Sequence, residues 1–307
     1  MTTDLGIWAV PLAVLGGALR VSTPFLFVSL GECVTEKSGR INLGLEGTLV
    51  FGAMAGYGGS LLTGSPWLGV LIAGLAGVLF GLMHGAVCSL PRVNDIAVGI
   101  AMMLLGTGVA FFFGKPLIQP AAPMLPAISF GGWSDVPQLR AALEVSPLFL
   151  IGILVAVLLA FMFKRTRLGL IIRMVGDSAD AARAMGYPIL PVRIGATAFG
   201  GFMAGVAGAY LSLYYPGSWN EHISSGQGLI AVALVIFARW NPIACFGAAL
   251  LFGGAGALGP ALQSVGVTSG YYLFYAAPYI LTLVILFFTS SRNRALDGAP
   301  RELSITK

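Results

Sequence analysis

The sequence predicts an all-α integral membrane protein, a polytopic helical bundle of about nine spans within a range of roughly eight to ten. Three observations carry this. Of 307 residues, 57% are hydrophobic and only 9% charged, with a mean hydropathy of +0.89. So few polar residues cannot enclose that much apolar surface in water. The apolar residues gather into long runs, several of them near the ~20 residues that a spanning helix needs. The 43 glycines fit helix packing in lipid, where small residues let backbones approach. Residues 1–307 therefore read as a single transmembrane domain.

Taken in order, the first apolar run goes from Leu5 to Gly31, interrupted by Arg20 and Pro24. The polar stretch ECVTEKSGR reads as a turn before the second run, Ile41 to Leu62. The third, Trp67 to Leu90, places Gly77, Gly81 and Gly85 on one helical face. PRVND separates it from the fourth, Ile96 to Phe113. Residues 114–146 are rich in proline, which argues against a continuous helix and for an ordered outer loop with a short interfacial helix. The fifth run is Pro147 to Phe163 and the sixth Ile194 to Tyr215, with another small-residue face at Gly201, Ala204, Gly205 and Gly208. The seventh, Leu229 to Phe237, is too short to cross alone. Ile243 to Leu262 and Tyr271 to Phe288 complete the set before a polar tail, 289–307.

The net charge of +5 serves orientation better than nucleic-acid binding, because the basic residues sit in loops between apolar runs. If 164–193 is cytoplasmic and each run crosses once, Lys37, Arg40, Arg92, Arg239, the loop cations and the tail Arg292, Arg294, Arg301 and Lys307 all fall inside. Lys115 and Arg140 fall outside, and Arg20 lies within a span. The expectation is a multi-pass protein of the bacterial cytoplasmic (inner) membrane, with an outer N-terminus and a cytoplasmic C-terminus. Asp4 in place of a basic n-region argues against a cleaved signal peptide. Cys33, Cys88 and Cys245 are scattered, with neither a disulfide nor a metal spacing.

The longest polar passage is Lys164 to Arg193, KRTRLGLIIRMVGDSADAARAMGYPILPVR, which holds Lys164, Arg165, Arg167, Arg173, Arg183 and Arg193. Asp180 to Met185 reads as a short helix, capped by Asp177 or Ser178 and stopped by Gly186 and Pro188. Such a helix is a rigid handle for a partner; an ordinary orienting loop is the plainer alternative.

GLIIRMVGDSADAARAMGYP resembles the coupling loop of ABC importer permeases of the ribose and nucleoside branch. EKSGRINLGLEG and GQGLIAVALVIFARWNP resemble two further signatures of that branch. The resemblance implies a type II importer-like bundle and, more narrowly, the shorter permease subunit of nucleoside-type simple-sugar transporters. It implies as partners a cytoplasmic ATP-binding subunit, a second permease subunit of a different chain and an extracytoplasmic substrate-binding protein. ATP and Mg would belong to the ATPase, with no cofactor in this chain, which lacks the G-x-x-x-x-G-K-[ST] phosphate loop. The family pattern falls on Gly169, Arg173, Gly176, Ala182 and Gly186, which by the resemblance shape the loop entering the ATPase. The chain departs from the nucleoside-type pattern at Met103, where relatives carry asparagine. Other simple sugars or a different heterocycle therefore stay open beside nucleosides.

Within the membrane, Asn42 and Glu46 stand four apart, which places them on one helical face. An ionisable residue in a span costs roughly 2.5–3.5 kcal/mol on insertion scales, so Glu46 needs a partner or water. It either lines the solute path with Asn42, or caps a neighbouring helix or pairs with Arg20. Asn94 and Asp95 open the fourth run as solute contacts or, more simply, as a helix cap. His84 reads as a hydrogen-bonded packing residue, since no second metal ligand stands at helical spacing. Trp219 reads as an outer contact or an interfacial anchor. An ion-coupled secondary transporter of a small polar solute is the alternative function, resting on Arg20, Glu46 and His84. No converging nucleophile, acid and metal ligands point to an enzyme.

Overall fold

The computed structural model describes residues 9–264, 266, 274, 276–289 and 298–304. Asp4, Arg292, Arg294, Lys307 and the start of the last apolar run at Tyr271 lie outside the described residues. The chain forms α1 (Ala9–Lys37), α2 (Leu45–Thr63), α3 (Pro66–Val87), α4 (Asp95–Gly114), α5 (Pro137–Ala142) and α6 (Pro147–Arg165). It continues as α7 (Arg167–Asp177), α8 (Ala179–Ala184), α9 (Ile189–Leu213), α10 (Gln227–Phe237), α11 (Pro242–Ser264) and α12 (Ala277–Thr289).

Among the described residues, six helices are long and apolar enough to cross a bilayer: α1, α3, α4, α6, α9 and α11. The other three apolar runs fall short for separate reasons. α2 has 19 residues but carries Glu46 and many glycines, and most of it is buried between α9, α3 and α4. α10 has only 11 residues, and α12, the described part of the last run, has 13.

The glycine faces explain how these helices meet. Gly77 and Gly81 of α3 lie against the backbone of Gly201 and Thr197 of α9, so close that a Cβ on either would overlap it. On its next face α9 meets α2, with Gly205 against Gly52 and Gly208 against Leu49. α1 and α11 pack along each other, with Gly253 against Ala18 and Ser22. Backbone approach of this kind is the packing that lipid favours, because hydrocarbon supplies no hydrophobic drive between helices.

The first helix is longer than its apolar run. α1 runs unbroken through Pro24. The carbonyl of Arg20, which Pro24 leaves without its helical donor, accepts from the Tyr210 hydroxyl at 2.9 Å. The polar stretch read as a turn is also still helix: Glu32, Cys33, Thr35 and Glu36 continue α1 to Lys37 and are buried. Tertiary partners stabilise them there. Glu32 Oε1 accepts from the Asn42 amide at 2.7 Å, Glu36 Oε2 accepts from Trp240 Nε1, and Lys37 Nζ stands 5.4 Å from the centre of the Phe163 ring.

Residues 114–146 hold a 3-10 turn, the short helix α5 and an antiparallel pairing of Ile128–Ser129 with Glu144–Val145. Tyr57 and Ser60 of α2 donate to the carbonyls of Pro120 and Pro123 and pin this segment to the bundle. Arg20 reaches it as well, through Ala141 O at 2.7 Å and Glu144 at 3.4 Å.

Candidate functional site

The loop 164–193 is a pair of helices. Thr166 ends α6 and caps α7, its hydroxyl accepting from the Gly169 amide at 3.2 Å. α7 puts Gly169, Ile172, Val175 and Gly176 on a buried face, with Arg167, Leu168, Leu170 and Arg173 outside. The sequence reading missed α7 as a helix, although its apolar residues recur at three- and four-residue steps, which is the period of an amphipathic helix. Ser178 then caps α8 by accepting from Ala181 N at 3.2 Å, and α8 closes at Ala184. Gly186 takes a left-handed φ of +81°, a conformation open to glycine at little cost, and turns the chain into α9.

The five residues singled out in this loop divide by environment. Gly169 sits against the backbone of Met162 and Phe163, and Gly176 against the carbonyl of Lys37 at the end of α1. Ala182 is fully buried. Arg173 is exposed, its Nε 3.4 Å from the Gly169 carbonyl. Gly186 has open space around it. Leu168 and Leu170 of α7, Met185 just past α8 and Leu190 at the start of α9 are exposed.

Within the bundle, Glu46 is a cap. Its Oε1 accepts from Ser224 Oγ at 2.6 Å and Gly226 N at 3.1 Å, and its Oε2 accepts from Gly228 N at 2.6 Å. A carboxylate at these amides is stabilised by the positive end of the α10 dipole. Arg20 pairs with Glu144. Asn42 does not share a helical face with Glu46, because α2 begins only at Leu45 and Asn42 lies in the preceding connection. There the Asn42 side chain accepts from Gly44 N at 2.9 Å, an Asx-type turn that sets the entry to α2. Glu46 and Asn42 are thus joined to different neighbours, α10 and Glu32.

Asn94 caps α4, its Oδ1 accepting from Ile96 N at 2.8 Å and Ala97 N at 3.1 Å. Asp95 forms a largely buried pair with Arg40 at 2.6 Å. His84 Nε2 lies 3.1 Å from the Ile41 carbonyl. Trp219 is buried and donates to Gly114 O at 2.8 Å, which removes it from the outer surface. Among the described residues no group of three or more His, Cys, Asp or Glu is placed to hold a metal.

Among the described residues the chain is an all-helical bundle with six helices of membrane-spanning length and a capped helix pair joining α6 to α9. The chain belongs to the family described as branched-chain amino acid transport system / permease component, whose model matches residues 14–289. It is similar to TsgC13 of Haloferax volcanii, named provisionally as a glucose ABC transporter permease protein, at 33% identity over 82% of this chain and 78% of the relative. It is similar to the guanosine ABC transporter permease protein NupQ of Bacillus subtilis, at 30% identity over 89% of this chain and 90% of the relative. The nucleoside ABC transporter permease protein NupC of Lactococcus lactis is 28% identical over 89% and 90%. The chain is therefore a permease subunit of an ABC importer and a multi-pass membrane protein, and nothing favours the ion-coupled alternative.

Proposed function

We propose that this chain forms half of the translocation path of an ATP-driven importer for nucleosides or related simple sugars in the bacterial cytoplasmic membrane. The names of the relatives TsgC13, NupQ and NupC support that solute range. In this reading the path is completed by a second, different permease subunit and fed by an extracytoplasmic binding protein. ATP and Mg are held by a separate cytoplasmic ATPase subunit, and this chain carries no cofactor. α2, α10 and α12 join the six long helices to give about nine crossings, and the C-terminus is cytoplasmic.

The observation that carries the reading is the α7–α8 projection, two helices too short to stand alone that are capped at both starts and locked at Gly169 and Gly176. We place the ATPase contact on it, with Gly169, Arg173, Gly176, Ala182 and Gly186 as the shaping residues, so that nucleotide-driven closure moves the spans as rigid bodies. Asn42, Glu46 and Asn94 serve the solute path by fixing the starts of α2, α10 and α4, and Glu46 shapes the polar segment Ser224–Gln227 at its wall. The test pairs uptake with assembly. Ala182→Trp and Gly186→Val should abolish uptake while the protein stays in the membrane, and wild-type uptake by both variants would sink the assignment. A ligand screen on the cognate binding protein then selects the solute.

A further inference from the structure

The described C-terminal segment, 298–304, closes in a 3-10 turn, Arg301–Ser304, that lies against the α7–α8 projection. Glu302 there joins α8 to α9 and, through Arg193, to the end of α1. One carboxylate oxygen accepts from the amide of Ala179, the first residue of α8, at 2.9 Å. The other accepts from Nη2 of Arg193, in the first turns of α9, at 3.2 Å. The same guanidinium donates through Nε to the carbonyl of Ser38, just past the end of α1, at 3.1 Å. The side chains of Arg193 and Glu302 are only 13% and 23% exposed, so the pair escapes most of the solvent screening that weakens surface ion pairs.

This matters because α8 is otherwise held by local contacts, its Ser178 cap and the burial of Ala182. It is six residues long and packs chiefly on α7 and the start of α9. A helix that short has no stability of its own. The Gly176 contact with Lys37 fixes α7 to α1, but it does not reach α8.

We propose that Glu302 is a positioning residue for energy coupling, a strut that ties α8 to α9 and to the end of α1. A push on α8 then moves two pore helices instead of bending the loop. The proposal rests on the reading that α8 is where the ATPase docks, and it adds that the C-terminal turn of this same chain makes the docking productive. Transmission through a contiguous hydrogen-bonded chain, Ala179 to Glu302 to Arg193 to Ser38, is the physical link it requires.

The experiment uses the assembled importer in vesicles, with Glu302→Ala, Glu302→Gln, Arg193→Ala and the Glu302→Ala/Arg193→Ala double variant. Three quantities are measured: ATPase subunit retained, solute taken up per ATP hydrolysed, and amide exchange over 179–182. Glu302→Ala should keep its ATPase subunit and basal hydrolysis, exchange faster at 179–182, and lose roughly tenfold in uptake per ATP. Glu302→Gln keeps an acceptor for Ala179 and should lose less. The double variant should be no worse than the more impaired single one, because both remove the same link. Unchanged uptake per ATP in Glu302→Ala overturns the proposal, as does a loss of uptake that only tracks lost protein or lost ATPase. Failure of the docking reading looks different: Ala182→Trp retains wild-type uptake while exchange at α8 still responds to Glu302→Ala.

Discussion

The Tyr210 hydroxyl of α9 donates to the Arg20 carbonyl of α1 at 2.9 Å, and that carbonyl is the acceptor Pro24 leaves unpaired within its helix. A proline inside a long helix normally frees a carbonyl and bends the axis. Here the neighbouring helix supplies the missing donor. Tyr210→Phe should destabilise the purified protein by about 1–3 kcal/mol, read as a lower thermal midpoint in detergent. In a Pro24→Ala background the helical N–H returns, and the same tyrosine change should cost clearly less. Equal cost in both backgrounds would separate the hydroxyl from the proline.

Glu46 joins α2 to α10 through Ser224, Gly226 and Gly228. Glu46→Ala leaves the buried Ser224 and Gly228 donors without an acceptor, at about 1–3 kcal/mol for each unsatisfied group. Protease cleavage within 220–228 should become faster and uptake should fall. Glu46→Gln, which retains one carbonyl acceptor, should sit between. Wild-type protease resistance in the alanine variant would contradict the cap.

Gly77 and Gly201 hold α3 and α9 at backbone contact. Gly77→Val should leave little folded protein, since overpacking alone costs about 1–3 kcal/mol and backbone cannot yield as a side chain does. Gly108→Ala is the control, because a Cβ there meets nothing within 4 Å. It should express at wild-type level or better, given the helix propensity of alanine. Similar expression of the two variants would mean the α3–α9 interface is looser than described.

Arg239 and Trp240, at the end of α10, have φ of +49° and +53°. Left-handed backbone costs an L-residue roughly 1–2 kcal/mol. Trp240 is held there by its indole bond to Glu36 and by Cys33 Sγ, which donates to its carbonyl at 3.2 Å. Arg239 is exposed. Arg239→Gly should stabilise the protein by no more than about 1 kcal/mol, read as a higher thermal midpoint, because glycine also loses more chain entropy on folding. A lowered midpoint would assign the arginine side chain a packing or lipid contact worth more than the strain.

Much of the local structure was legible in the sequence. Ser178 as a cap, Gly186 as a stop, Asn94 as a helix start and the glycine faces at Gly77, Gly81 and Gly201 follow from side-chain chemistry and spacing, which act within a few residues. α7 was legible too, through its apolar period, but its six-residue neighbour drew the reading away from it. The class of protein rested on composition, since 9% charged residues leave no water-soluble solution.

What the tertiary structure alone decided concerns polar groups buried among helices. Glu32 and Glu36 look like turn residues until Asn42 and Trp240 accommodate them inside α1. Asn42 and Glu46 look like one helical face until α2 is seen to begin at Leu45. Glu302, far along the chain in the tail, gives no local signal of its bond to Ala179. The physical reason is common to all of them. In a low-dielectric interior a polar group is placed by whichever partner satisfies it, and those partners lie 10 to 204 positions away, beyond the reach of helical or turn periodicity.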